Sequence, residues 1–163
     1  MVIELKSILK HENINPLYIL IGHSMGGFIA RYFSSQFPDE VKGLILLDPT
    51  PEVYYESMLK KDQKKFIEMG NKLNRTKHAP KCWKKWYQFV PNLVYMKNLN
   101  ISKNLPFILV SASESNLYKY QEKIMAGFKN TRHIELAGGY YLRIKYPDLI
   151  IKYIKELSSL TNN

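Results

Sequence analysis

Ser24 has the sequence surroundings of a serine nucleophile. It lies in the run from Gly22 to Gly27, Gly-His-Ser-Met-Gly-Gly, which follows an apolar stretch and precedes apolar residues at helical spacing. A serine hydroxyl reacts only when the backbone projects it away from its neighbours and a base takes its proton. The Gly-x-Ser-x-Gly spacing at a strand-to-helix turn provides that projection. The pattern therefore predicts acyl-transfer chemistry at Ser24.

This chemistry requires neither a metal nor an organic cofactor. The histidines and carboxylates of the chain show no metal-ligand spacing, and no glycine-rich phosphate loop is present. We therefore expect no metal and no cofactor.

Strand and helix patterns alternate along the chain and position Ser24. The predicted elements, in order, are a first helix that stops near 13–16, strand 17–21, a helix ending near 37, strand 41–48, strand 106–111, helix 116–128, strand 131–137 and helix 147–160. Buried strands joined by a helix run parallel. The sequence therefore predicts an α/β fold, with a mostly parallel sheet, helices on both faces and active groups at the carboxyl ends of the strands.

The segment 51–104 differs in composition from the rest of the chain. It is rich in Lys, Tyr, Trp, Asn and Met, and helical patterns run through 53–73 and 82–96. We therefore predict two domains, a core formed by 1–50 and 105–163 and a helical cap inserted at 51–104.

The chain carries an excess of positive charge. Its 24 Lys and Arg residues stand against 14 Asp and Glu residues, which gives a net charge of +10. Such a balance is compatible with nucleic acid or an anionic membrane as a partner. The excess is concentrated between Lys60 and Lys85, and no nucleic-acid-binding motif accompanies it. We expect a solvated lysine-rich face and no nucleic-acid partner.

Cysteine content and hydropathy indicate the compartment. Cys82 is the single cysteine, so an internal disulfide is excluded and a reducing compartment is expected. Apolar runs such as Gly43 to Leu47 are far shorter than the about 18 residues that span a bilayer. The stretch from Met1 to Lys10 is an amphipathic pattern and not a signal peptide. These features predict a cytoplasmic protein without a membrane span.

Four segments together resemble the α/β-hydrolase superfamily, especially its carboxylesterase and lipase-like members with a cap. They are Tyr18–Phe37, Val41–Pro49, Pro106–Ser115 and His133–Asp148. The resemblance implies that Ser24 is the nucleophile and that the backbone N–H of Met25 is one of two oxyanion donors. It also implies a small-molecule ester or another apolar ligand as the partner.

The acid position of this family is altered here. The family places an acid after the seventh strand, followed by a histidine. Aligning the strand 106–110 on that pattern puts Ser115 at the acid position, and Glu114 is the nearest carboxylate. Whether Glu114 can serve depends on a one-residue shift in the turn.

The histidine position is altered as well. Gly138-Gly139-Tyr140, followed by Pro147-Asp148, resembles the family's Gly-His segment and puts Tyr140 where the histidine belongs. A phenol with a pKa of about 10 is protonated at neutral pH and cannot accept the serine proton as an imidazole does. The resemblance therefore implies weak activity or none.

The other histidines and Asp48 are poorer candidates. His11 and His133 are expected away from the carboxyl ends of the strands, and the side chain of His23 points away from that of its neighbour. His78 could fold over Ser24, although a surface loop position is the simpler interpretation. Asp48 follows a strand, where an acid could lie, but the Asp-Pro pair more simply shapes a turn.

Relatives of this family carry further strands upstream of the strand that precedes the nucleophile. The resemblance implies that these amino-terminal strands are missing, together with the loop that supplies the second oxyanion donor. Loss of such a donor slows catalysis by about 10²- to 10³-fold. The strand before Ser24 would then have an open edge through which the chain could associate with itself.

Three interpretations of function stay open. The first is a serine carboxylesterase or acyl hydrolase that acts through Ser24 and is weak or inactive because Tyr140 replaces the base. The second is a non-catalytic pseudo-hydrolase that binds a ligand among cap aromatics such as Trp83 and Trp86. The third is a fragment of a larger hydrolase.

Overall fold

A computed structural model describes residues 1–58, 60–74, 95–96 and 98–160. The chain divides into two compact units. The first comprises Met1–Pro51 and Asn100–Asn163, and the second comprises Glu52–Leu99. Ser24 and the sheet lie in the first unit.

Helices and strands alternate in the first unit, and two described helices of the second unit lie between them in the sequence. In chain order the elements are α1 (Val2–His11), β1 (Tyr18–His23), α2 (Gly26–Gln36), a 3₁₀ turn (Pro38–Glu40), β2 (Val41–Leu47), α3 (Glu52–Ser57), α4 (Lys60–Asn74), β3 (Phe107–Ala112), α5 (Tyr118–Gln121), a second 3₁₀ turn (Glu122–Met125), β4 (Thr131–Leu136), α6 (Leu142–Lys145) and α7 (Pro147–Ser159).

The four described strands form one parallel sheet in the order β1-β2-β3-β4. In this register His23 pairs with Leu47, Leu47 with Val110, and Val110 with Ile134. All four carboxyl ends therefore lie at one edge of the sheet, where Ser24 follows β1. The predicted parallel α/β sheet is confirmed.

Helices cover both faces of the sheet. On one face α7 packs on the strands, and its Tyr153 and Leu157 join a buried core with Ile45, Leu47, Ile108, Val110 and Ala112. On the other face, Phe33 of α2 contacts Tyr18 with ring centroids 5.9 Å apart, and Tyr118 of α5 stacks on His133 at 5.3 Å. The predicted two-sided covering is confirmed.

The helix predicted for 116–128 is wrong in length. Only Tyr118–Gln121 is α-helical, and a 3₁₀ turn follows it. The hydroxyl of Ser115 accepts from the N–H of Leu117 at 3.2 Å, so these residues form a turn and α5 begins only at Tyr118. Gly127 ends the segment with φ +81°, a left-handed conformation that suits glycine.

The helical pattern at 53–73 is also divided, into α3 and α4. Helices α3 and α4 contact each other through Tyr55 and Phe66, whose ring centroids are 5.8 Å apart. The Nε2 of Gln63 also donates to the carbonyl of Tyr55 at 3.1 Å. Most of the pattern predicted for 82–96 lies outside the described residues, as does Cys82.

β1 occupies an edge of the sheet formed by the described strands, and apolar side chains are exposed beside it. Ile21 in β1 is 44% exposed, and Leu17, just before the strand, is 54% exposed. Ile3 and Ile8 of α1 are exposed too. Within the described part of the chain, none of the helices has the length and hydropathy needed to cross a bilayer.

Candidate active site

The backbone at Ser24 forms the tight turn that the motif predicts. Ser24 has φ +52°, a left-handed conformation in which a non-glycine residue is strained. Its N–H donates to the carbonyl of Leu47 at 3.1 Å, and its own carbonyl accepts from the N–H of Gly27 at 3.0 Å. Ser24 is thus fixed between the end of β2 and the start of α2, one residue beyond β1.

Glycine at position 22 is needed for this turn. A Cβ at Gly22 would lie 2.6 Å from the carbonyl oxygen of Gly26, which is closer than atoms can approach. A Cβ at Gly26 would meet nothing within 4 Å. Glycine is therefore required at position 22, whereas at position 26 the backbone, and not the missing side chain, makes the contact.

Two polar groups lie near the Ser24 hydroxyl, one from a distant part of the chain and one from the next residue. The Oγ1 of Thr50 is 3.5 Å from the Oγ of Ser24, the limit of a hydrogen bond. The backbone N–H of Met25 finds no acceptor among the described residues. A free N–H directly after a nucleophile can donate to an oxyanion that forms on the attacked carbonyl.

Tyr140, at the expected base position, lies against His23. The Nε2 of His23 is 3.0 Å from the carbonyl oxygen of Tyr140, and the two ring centroids are 4.4 Å apart. The guanidinium of Arg143 lies 3.3 Å from the Nδ1 of His23. Because a guanidinium only donates, Nδ1 is the acceptor and Nε2 carries the proton. Both ring nitrogens of His23 are therefore engaged away from Ser24.

The environment of His23 favours its neutral form. Burial lowers the pKa of His23 below its usual 6.5, and the positive charge of Arg143 lowers it further. The hydrogen bond to Tyr140 and the negative charge of Asp48 act in the opposite direction without reversing the shift. A neutral imidazole can accept from Arg143, which agrees with the observed geometry.

Glu114 lies next to the segment that carries Tyr140. The N–H of Glu114 donates to the carbonyl of Gly138 at 3.1 Å, and the Glu114 Oε2 is 3.5 Å from the position of a Cβ built on Gly139. The structure thus brings Glu114 beside Gly138 and Gly139, the residues that precede Tyr140. Ser115 points elsewhere and caps the turn before α5.

Asp48 is buried in a network of its own. The residue is 3% exposed, and its carboxylate accepts from the Nε2 of Gln121 at 2.8 Å, while the same amide nitrogen donates to the carbonyl of Pro49 at 2.9 Å. Asp48 has φ +40° and follows β2 directly. These contacts fit the expected role of Asp48 in shaping the turn.

The other histidines are placed as follows. The Nε2 of His133 is 2.8 Å from the Oγ of Ser111, which lies within β3 and is fully buried. The side chain of His11 is 85% exposed on α1. His78 lies outside the described residues. In the part of the chain that the structure describes, no three His, Cys, Asp or Glu side chains come together as metal ligands.

Sequence reasoning missed two neighbours of the site. Thr50 approaches Ser24 because the Asp48-Pro49 turn carries the chain back over the end of β1. Arg143 reaches His23 from α6, 120 residues further along the chain. A spacing pattern carries no signal for either contact, since both depend on how loops fold over the edge of the sheet.

A family model agrees with this arrangement. The model of the alpha/beta hydrolase fold matches residues 3–81. The matched stretch includes β1, the turn at Ser24, α2 and β2.

Curated relatives match over a short stretch. The (lyso)-N-acylphosphatidylethanolamine lipase of Homo sapiens is 59% identical to this chain over 34 residues, and that of Mus musculus is 56% identical over 34 residues. Each match covers 21% of this chain and 10% of the lipase. The chain thus aligns with a tenth of the length of these relatives.

Solved structures match along almost the whole chain. An esterase from Thermogutta terrifontis aligns with a TM-score of 0.65 at 15% identity, over 98% of this chain and 71% of its own. NosK from Streptomyces actuosus aligns with a TM-score of 0.65 at 16% identity, over 99% of this chain and 76% of its own. At such identities the likeness establishes a common fold.

Proposed function

Because this chain has the α/β-hydrolase fold and residues 3–81 match the family model of that fold, we propose that Ser24 is the nucleophile of a serine acyl-hydrolase site whose turnover is slow. One observation carries the proposal. Ser24 is held at φ +52° in a turn between β1 and α2, and the N–H of Met25 beside it has no acceptor among the described residues. A strained, projected hydroxyl next to a free donor is the arrangement that acyl transfer requires.

The reaction proceeds by addition and elimination. The Ser24 Oγ attacks the ester carbonyl, its proton passes to solvent, and the Met25 N–H donates to the oxyanion. Collapse of this intermediate breaks the C–O bond, the leaving oxygen takes a proton from solvent and departs as the alcohol, and an acyl group remains on Ser24. Water then attacks the acyl group, and the acid and the free serine are released.

Turnover is slow because none of the described imidazoles is placed to assist the proton transfers. The described histidines are engaged elsewhere or distant in the fold, and Tyr140 occupies the position that the family gives to histidine. Glu114 beside it has no imidazole to orient. Enzymes that lose this base retain activity several orders of magnitude below that of a complete triad.

The substrate class proposed is an acyl ester of a lipid or of a small alcohol. The esterase among the solved structures of this fold supports an ester, and the short match to a (lyso)-N-acylphosphatidylethanolamine lipase supports a lipid acyl group.

A fluorophosphonate probe tests the nucleophile directly. Such probes phosphonylate the hydroxyl of a projected serine, so we expect slow labelling of the wild-type chain, detected by intact mass. Ser24→Ala should abolish it, whereas Ser111→Ala, which removes a buried hydroxyl of β3, should label like the wild type. Labelling that persists in Ser24→Ala would show that Ser24 is not the nucleophile.

A second candidate function is ligand binding without catalysis. The observation that favours it is the contact of His23 with both the ring and the carbonyl of Tyr140, because it fills the base position with a group that is unsuited to proton transfer. In this case an acyl ester should raise the melting temperature equally in the wild type and in Ser24→Ala, and no acyl-enzyme should accumulate. Detection of an acyl group on Ser24 would decide for catalysis.

A further inference from the structure

Helix α4 of the second unit displays a one-sided array of lysines. Five lysines of α4 are exposed, namely Lys60, Lys61, Lys64, Lys65 and Lys72. At 3.6 residues per turn they fall within an arc of about 140° around the helix axis. Glu68 is the one acidic residue of α4 within that arc. We call these five lysines the lysine face.

The opposite side of α4 packs within the second unit. Phe66 contacts the ring of Tyr55, and Gln63 donates to the carbonyl of the same residue. Both lie on the side of the helix away from the lysine face. Across the described residues, no carboxylate lies within ion-pair distance of a lysine of this face. Its charge is therefore not neutralised by those residues.

Apolar side chains border the lysine face on both sides. Met69 is 55% exposed and follows Lys65 by four residues, so the two side chains are neighbours on the helix surface. Ile67, half-buried, follows Lys64 by three residues and borders the other side. A polar face rich in lysine and flanked by apolar residues, on a helix in which polar residues predominate, is typical of helices that lie at a membrane surface.

We propose that the lysine face of α4 binds an anionic lipid surface. Lysine ammonium groups act as point charges on flexible stems, which suits a diffuse layer of anionic headgroups. Base-specific recognition of nucleic acid uses arginine forks, and binding of single strands uses aromatic rings for stacking; the face contains neither. The proposal goes beyond the proposed function, since it does not require Ser24 to react.

Vesicle sedimentation tests this directly. The whole chain is mixed with phosphatidylcholine vesicles, with or without one quarter phosphatidylserine, and the bound fraction is measured. We expect binding to the anionic vesicles, none to the neutral ones, and release as salt rises from about 0.1 to about 1 M because the attraction is screened. Replacing Lys60, Lys61, Lys64 and Lys65 by Gln should weaken binding at least tenfold, given about fivefold for each lysine near the surface.

A matched control separates this face from net charge. Lys123, Lys129, Lys152 and Lys155 are exposed in the first unit, and their change to Gln removes the same charge. This control should keep vesicle binding within about twofold, while circular dichroism verifies that both variants are folded. The proposal would be overturned if both variants lost vesicle binding equally, or if the wild type did not bind. It would also be overturned if the same lysines bound a short DNA duplex more tightly than the vesicles.

Discussion

The Nε2–H of His23 donates to the backbone carbonyl of Tyr140 across 3.0 Å, although 117 residues separate them in the chain. His23 is the residue immediately before Ser24, so this bond ties the turn at Ser24 to the loop that carries position 140. The carboxylate of Glu114 lies beside the same loop, next to Gly139. The loop that carries positions 139 and 140 therefore contacts both His23, next to Ser24, and the carboxylate of Glu114.

Tyr140→His should raise esterase activity. The imidazole would supply the general base that the site lacks, with Glu114 near enough to orient it, and general base catalysis contributes about 10²- to 10⁴-fold. We expect hydrolysis of a p-nitrophenyl ester to rise by at least about tenfold, allowing for imperfect placement of the ring.

Two variants control this experiment. Tyr141→His introduces the same ring one residue away, where the exposed side chain does not contact His23, and should leave the rate unchanged. Tyr140→His combined with Ser24→Ala should lose the gain. An equal gain in Tyr141→His would indicate general imidazole catalysis and contradict the assignment of position 140.

The stability of the protein should fall at acidic pH in part through His23. Burial, followed by the charge of Arg143, lowers the pKa of His23 in the folded state. As the pH falls below the ordinary value of about 6.5, the unfolded chain takes up a proton on His23 before the folded chain does, so the free energy of unfolding decreases. Above that pH His23 is neutral in both the folded and the unfolded state, so its protonation no longer lowers the free energy of unfolding.

Urea unfolding at several pH values measures this effect. Between pH of about 8 and about 5, the wild type should lose more stability than His23→Gln, which has no titrating group at that position. Arg143→Gln should show a smaller loss than the wild type, because removal of the cation raises the pKa of His23. Identical pH profiles for the wild type and His23→Gln would contradict the prediction.

The parts of this site that sequence predicts are the local ones. The turn at Ser24 follows from a strand-length apolar run, a Gly-x-Ser-x-Gly spacing and a helical pattern within about twenty consecutive positions, and each acts through the chain on its neighbours. The parallel sheet is predicted by strand-length apolar runs that alternate with helical patterns along the chain. Contacts such as Thr50 with Ser24 and Arg143 with His23 arise from loop paths over the sheet edge, which no local pattern specifies.

Ser24→Gly should be more stable than Ser24→Ala. Both substitutions remove the hydroxyl and its 3.5 Å contact with Thr50, so that loss cancels in the comparison. Alanine retains the strain of φ +52°, whereas glycine adopts this conformation freely. We expect the difference to be about 1 kcal/mol in the free energy of unfolding, measured with urea. Equal stability would show that the turn relaxes once the hydroxyl is gone.

Gly22→Ala should destabilise the protein, and Gly26→Ala should not. The new methyl group at position 22 would meet the carbonyl of Gly26 at 2.6 Å, which forces β1 and α2 apart. We expect a loss of about 1–3 kcal/mol, the usual cost of overpacking. At position 26 the methyl group meets nothing within 4 Å and lies at the start of a helix, where alanine is preferred to glycine. The two variants differ in position alone, so comparable losses in both would show that the close approach of β1 and α2 does not depend on Gly22.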